Sequence, residues 1–509
     1  MRYSSQGKQL RLDIFSDSLE RSLDPTNRWY KLAQAMPWDE IERVYNQSLD
    51  NKHCGGGNKS ARMVIGALII KHKMNLSDEE TIQAIIENPY LQYFVGLEEF
   101  TNNPIFDSSL FVHIRKRIDV DLVNSITLSL MNQLQANDAA TTNNESDDNE
   151  SDDNSPLDTG SEEEPFIDEE GNKHQGSIKI DATCCDAEVK YPTDIEVLND
   201  ARDVSERLID RLCALSGTPQ PRTYRKKARH KYLTVIKKRN KSRKLVRKGI
   251  REQLGYLGRN IRSISEIIAS SSTAFYDRLK EKEKQWISTI ITVYSQQKEM
   301  FDNHTHQCAD RIISVFQPHI RPIVRGKSKA KVEFGAKIGV SVVEGYTFID
   351  RFSWDAYNES EDLETHIQCY FERFGCYPVK CYADKIYMNR HNREILKKYH
   401  IQAAGKPLGR PSKEMQTEEY KQQSVKDMGQ RNEVESTFGT AKRVYRANDI
   451  RAKLPDTADA WTALCFLVKN VMKFLKELLC ALMKRSYFLS VRLPDTDMLF
   501  YFLFLKRTA

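Results

Sequence analysis

No run of apolar residues in this 509-residue chain reaches the about 18 that a membrane-crossing helix needs. The longest, MLFYFLFL at 498–505, is far too short. The N-terminus, MRYSSQGKQLRLDIF, lacks the apolar centre of a signal peptide, so a cytoplasmic chain with no membrane partner is expected. Cysteine is sparse: ten residues, none spaced as C-x-x-C, which excludes a disulfide framework. His304, His306 and Cys308 stand close together without a second ligand cluster, so they read as loop residues rather than a zinc site. With 40% hydrophobic and 29% charged residues, the chain is neither collagen-like nor wholly disordered. Its length suits two to four domains.

Basic residues are missing from one stretch altogether. Residues 136–172 hold fourteen acids and no Lys or Arg, so the rest of a chain of net charge +6 carries +20. That segment is rich in Asn, Ser, Asp and Glu and cannot bury enough surface to offset its ordering entropy; a disordered acidic linker over 136–175 is expected. Its two readings are a solubilising spacer and a nucleic-acid mimic that competes for a basic surface. The opposite bias marks 222–262, with seventeen Lys or Arg and the single acid Glu252. Such density would repel itself without a polyanionic partner. Arg225, Lys226, Lys227, Arg229, Lys237, Lys238, Arg239, Arg243 and Lys244 are its candidate phosphate-binding residues. DNA and RNA are not distinguished by this feature alone.

Along the chain, 1–135 reads as a helical domain; Ser77-x-x-Glu80 forms a capping box ahead of an apolar-periodic run. GSIKIDATCC is a half-buried strand ending at Asp181. Residues 199–325 read as a basic helical insertion, in which Val246, Ile250, Leu254, Leu257, Ile261, Ile264 and Ile268 make the seam of a long helix or helical hairpin. A hairpin follows, turning at Glu344-Gly345, then a helix stopped by Gly375, a strand YPVKCYAD ending at Asp384, a strand HIQAAG, and a helix over 431–446. The C-terminal 451–509 reads as a helix and tail. Without the insertion, residues 176–198 and 326–450 have the layout of an α/β ribonuclease-H-like fold, a mixed five-stranded sheet with helices, behind an all-α N-terminal domain.

Asp181 and Asp384 fall at strand ends predicted to be neighbours, where catalytic groups tend to be held, though a strand-terminal Asp is more often a turn former. The 431–446 helix offers Glu433 and Glu435. Val434, Phe438, Ala441 and Tyr445 form its buried stripe, with the two acids on opposite flanks. Arg431, Glu435 and Lys442 lie within about 40° of one another at ~100° per residue, so this face carries one carboxylate between two cations. Taken alone, an ordinary i,i+4 ion pair explains Arg431 and Glu435 equally well.

These residues resemble the DDE transposases of bacterial insertion sequences. The resemblance rests on Asp181 in IDAT, Asp384 in YADKIY, and Arg431-x3-Glu435-x6-Lys442. CDAEVKYPTDIEVLNDARD, RPIVRGK with FGAKIGVSVVEGY, and PLGRPSK at 407–413 look like one branch of that group. It spans about residues 60–475. The resemblance implies Asp181, Asp384 and Glu435 as catalytic carboxylates holding two Mg²⁺ or Mn²⁺ ions, Asp181 bridging them. Arg431 and Lys442 would meet DNA phosphates. Partners would be double-stranded DNA, both the element's terminal inverted repeats and the target, and a second copy of the chain in a homodimeric synapse at the bacterial nucleoid. One departure is Met428, where the family has Tyr three positions before the Arg. A same-fold nuclease without strand transfer, and a catalytically silent DNA-binding derivative, are the alternatives.

Overall fold

Side-chain caps delimit the helices of the N-terminal third. In the computed structural model, which describes residues 19–47, 49, 58–142, 165–270, 273–324, 332–404 and 418–492, this part runs α1 (Leu19–Ser22), α2 (Arg28–Ala35), α3 (Trp38–Gln47), α4 (Ala61–Met74), α5 (Asp78–Glu87), α6 (Pro89–Phe94), α7 (Leu110–Arg115) and α8 (Val120–Thr142). Asn27 caps α2, Ser60 caps α4, and Ser77 with Glu80 forms a reciprocal capping box on α5. Each supplies an acceptor to an otherwise unpaired first-turn N–H.

The acidic segment is narrower than its composition suggests. Helix α8 runs to Thr142, and β1 (Phe166–Ile167) pairs with β2 (Lys173–His174), His174 stacking on Phe166. Residues 143–164 between them lie outside the described residues, as do PLGRPSK, the RGK of RPIVRGK, and the apolar run at 498–505.

The main sheet starts with β3 (Ser177–Asp186). A helical insertion follows: α9 (Asp194–Ser216), α10 (Arg225–Ile236), α11 (Arg243–Ala269), α12 (Thr273–Asp277) and α13 (Glu281–Asp302). The predicted seam is one continuous helix, α11, with Ile250, Leu254, Leu257 and Ile264 buried. Gly249 lets α11 approach its neighbours: an added Cβ would meet Ile195 at 2.8 Å and Val235 at 2.9 Å. The insertion has a hydrophobic core of its own, which begins at Ile195 in α9 rather than at residue 199.

The chain then returns to the sheet with β4 (Arg321–Val324), β5 (Val332–Val343), β6 (Tyr346–Ser353), α14 (Leu363–Phe374), β7 (Lys380–Tyr382), α15 (Arg390–Lys398) and β8 (Gln402–Ala404). It ends in α16 (Glu418–Arg443) and α17 (Pro455–Arg492). Glu344 and Gly345 both have positive φ, 50° and 77°, the two-residue turn whose twist suits a hairpin. The strand order is β4-β5-β3-β7-β8 with β6 also on β5; β3, β7 and β8 are mutually parallel and the other pairs antiparallel. Leaving aside the short Pro-containing β4, β6-β5-β3-β7-β8 is the ribonuclease-H-like order expected from the element sequence. β4 is a sixth strand that the sequence did not announce.

The outer edge of β6 is closed by two buried amides. Asn124 of α8 donates to Ile349 O (2.8 Å) and accepts from Ile349 N (3.1 Å), and Asn470 of α17 does the same at Thr347 (2.7 and 3.0 Å). Such pairing satisfies strand groups that a free edge would leave open. It also welds the N-terminal helices to the sheet, so the two share one continuous core from Leu19 to Leu475. No helix among the described residues is long and apolar enough to cross a membrane.

Candidate active site

Strand β3 does not end at Asp181. Its parallel pairing with β7 stops at Lys179↔Tyr382, but on its other edge β5 continues antiparallel from Lys179↔Val342 to Asp186↔Gly335. Asp181 is therefore mid-strand, opposite Val340. The offset of the parallel pair, carried two residues further, brings Asp384 level with Asp181 where β3 and β7 separate. Asp384 leaves the strand and caps a 3-10 turn (Lys385–Tyr387), accepting from Lys385 N at 2.7 Å. Asp181 accepts from Ala182 N at 2.8 Å.

Helix α16 carries the third expected carboxylate, Glu435, though among the described residues Asp181, Asp384 and Glu435 do not gather within 4.8 Å of one another. Val434, Phe438 and Ala441 face the core, with Tyr445 buried just past the helix end. Arg431 reaches both remaining acids, Nη1 to Asp384 Oδ1 and Nη2 to Glu435 Oε1, each at 3.1 Å. Burial pushes the Asp181 carboxyl up to about 6; the Ala182 N–H opposes this, the charges of Glu359 and Asp384 add to it, and Arg431 relieves it. A partly buried carboxylate ringed by like charge is a site that a cation stabilises. Oxygen-only donors of this kind suit Mg²⁺ or Mn²⁺.

Glu433 has a different role from Glu435. It pairs with the buried Lys179 of β3, a partner 254 residues away that no helical projection of α16 could reveal. Lys442 lies further along the same helix, near the Cys184 end of β3. Seven residues beyond Glu435 is about 10 Å along a helix, and its charge bears on Cys184 and Asp186.

Two features were missed by sequence reasoning. Glu359, in a 3-10 turn (Glu359–Asp362) and paired with Lys337 at 3.1 Å, is with Asp384 one of two carboxylates whose charge bears on Asp181; nothing local in NESED signals this. Cys184, Asp186 and Glu333 bring ligand-type atoms within 4.8 Å of one another. Burial and the neighbouring acids hold the Cys184 thiol far above its ordinary range, hence protonated. The alternation of β3 gave no hint of it. His304, His306 and Cys308 are not gathered among the described residues; His306 faces Asp194 at 3.1 Å and His304 faces Arg247 at 3.2 Å.

A pocket opens beside Arg431, between the Asp384–Lys385 turn, β8 and the first half of α16, and Met428 lines it. In the basic insertion, Lys226, Lys227, Arg229, Lys237, Lys238, Arg239, Arg243 and Lys244 are exposed and make no ion pair among the described residues. Arg225 is instead held by Asp210 at 2.7 Å and by Glu206 O at 3.2 Å, so it anchors α10 to α9.

Residues 381–472, which include Asp384, Arg431 and Glu435, match the model of a transposase DDE domain, and residues 17–117 match that of a transposase domain. The chain is 32% identical over 114 residues to an uncharacterized protein, ORF8 of the nfe locus, from Rhizobium meliloti. That alignment covers 22% of this chain, and the chain spans about half the length of that relative, 53%. No solved structure matches significantly. Two transposase family models thus match separate parts of one polypeptide that carries the ribonuclease-H-like strand order, a combination consistent with a DDE transposase of an insertion sequence.

Proposed function

We propose that this chain binds the terminal inverted repeats of its own insertion sequence, cleaves phosphodiester bonds there, and joins the exposed 3′-hydroxyls to target DNA. The observation that carries this reading is the meeting of Asp384 and Glu435 on the Arg431 guanidinium beside Asp181. Asp181, Asp384 and Glu435 would hold two divalent cations, Mg²⁺ or Mn²⁺. Bound there, such ions supply an activated attacking oxygen and charge stabilisation at the leaving oxygen. Arg431 would turn from the carboxylates to a flanking phosphate, and the sheet would hold Asp181, in the middle of β3, and Asp384, just past β7, against a rigid support.

The exposed cations of α10, α11 and their connection would hold DNA backbone, and the N-terminal helices would read the ends. Joining two ends requires two copies of the chain, so a homodimer is expected in the complex with DNA, in the bacterial cytoplasm at the nucleoid. Replacing Lys237, Lys238, Arg239, Arg243 and Lys244 together with alanine should weaken binding to all DNA sequences alike. The slope of log affinity against log salt should shrink by up to about 0.9 for each phosphate that is no longer neutralised. A changed sequence preference at unchanged slope would mean that this tract reads bases.

The function is tested by incubating the protein with DNA from the element's ends and a target plasmid, with Mg²⁺ or Mn²⁺. Covalently joined product supports a transposase. Cleaved ends without joining mean a nuclease, and bound but intact ends mean a silent DNA-binding derivative.

A further inference from the structure

Three residues beyond Asp384 stands Tyr387, whose place is tightly set. Its N–H donates to Asp384 O at 3.0 Å, closing the turn that Asp384 caps. Its carbonyl accepts from Asn392 Nδ2 at 2.9 Å, and the same amide donates to Ser360 O at 2.6 Å. Asn392 is 2% exposed, so this one side chain ties the Asp384 turn to the turn that carries Glu359.

The ring of Tyr387 is fully buried, yet its hydroxyl has no hydrogen-bond partner among the described residues. Phenylalanine would fill this space without burying a polar group, so the oxygen calls for a reason beyond packing. The charge with the largest influence on that hydroxyl is Asp181, followed by Glu359. A neutral O–H beside these acids can act only as a donor to them, and cation-binding carboxylates are commonly fixed by such outer donors.

We propose that Tyr387 is a positioning residue for Asp181, its buried hydroxyl being the donor that fixes this carboxylate when it takes up a divalent cation. The inference rests on the reading of Asp181 as a cation ligand. It assigns no contact between Tyr387 and DNA or the reacting atoms.

The test is Mn²⁺ binding by the full-length protein at pH 7.5, read from the electron paramagnetic resonance of free Mn²⁺, for wild type, Tyr387→Phe and Asp181→Asn. Half-saturation in Tyr387→Phe should need about 10-fold more Mn²⁺ or above, the scale of effect when an outer-sphere donor is removed. Its melting temperature in a chelator should be at or above that of wild type, since no existing hydrogen bond is removed and a buried unpaired hydroxyl is lost, and excess Mn²⁺ should restore cleavage. Unchanged Mn²⁺ affinity in Tyr387→Phe, beside an abolished site in Asp181→Asn, overturns the inference and leaves the cation reading intact. A lowered melting temperature with unchanged affinity makes the hydroxyl structural and overturns it too. A wild type that binds no Mn²⁺, or an Asp181→Asn that binds like wild type, removes the cation reading and this inference with it.

Discussion

Glu433→Gln should lower the melting temperature and leave cleavage measurable, while Glu435→Gln, two residues on, should leave the melting temperature alone and remove cleavage. The first follows from where Glu433 sits. Its carboxylate pairs with Lys179, which is 8% exposed, and it also supports Lys469, a half-buried lysine that desolvation, with the charge of Lys473, pulls down to about 8. Deleting one partner of a buried ion pair costs about 3–5 kcal/mol. The Glu433 side chain keeps 37% exposure, so water offsets part of this and about 1–2 kcal/mol remains. Glu435 is 60% exposed and, among the described residues, bonded only to Arg431 of its own helix, a pair worth about tenths of a kcal/mol. Its removal should instead cost on the order of 10²–10³ in rate, the scale of one missing electrostatic contributor at a reacting centre. Thermal unfolding and DNA nicking on the two variants check both halves. Equal behaviour would mean that α16 does not divide structural from catalytic carboxylates.

Asp181→Asn should be more stable than wild type at pH 7.5 and indistinguishable from it near pH 4. The Asp181 carboxyl titrates at about 6 in the fold against 3.8 ordinarily. The folded state therefore holds this proton more tightly than the unfolded chain. The associated stability is present at low pH and is lost as pH rises from about 4 to about 6. Above that window the ionised carboxylate costs on the order of 1–3 kcal/mol, which asparagine avoids while still accepting from Ala182 N. The same proton competes with a cation, so Mn²⁺ affinity of the wild type should climb with pH through about 6. Denaturant unfolding of both proteins at the two pH values decides it. A less stable variant at pH 7.5, or a stability gap that ignores pH, would contradict the burial of Asp181 among acids.

Much of this arrangement could be read from local pattern, because local physics sets it. Ser77-x-x-Glu80 predicts its own capping box, Glu344-Gly345 its turn, and the 3.6-residue period of Val434, Phe438 and Ala441 separates Glu433 from Glu435. Helix α16 begins at Glu418, well before the expected 431, because EEYKQQSVKDMGQ is polar all round and carries no periodic stripe to read. The true length of β3 was hidden because its two edges are paired over different ranges. Lys179 under Glu433, Glu359 beside Asp181, and Asn124 and Asn470 on the edge of β6 depend on the meeting of distant parts of the chain. No spacing in the sequence encodes them.

The central claim is that Asp181, Asp384 and Glu435 act together as a cation-dependent centre for breaking and joining DNA. Its most direct test is cleavage and joining of the DNA flanking the gene, with Mg²⁺, with Mn²⁺ and with chelator, for wild type beside Asp181→Asn, Asp384→Asn and Glu435→Gln. Cation-dependent product in the wild type, abolished in all three variants while DNA binding persists, is the predicted result. Product that survives any one of these substitutions, or that forms in chelator, would contradict it.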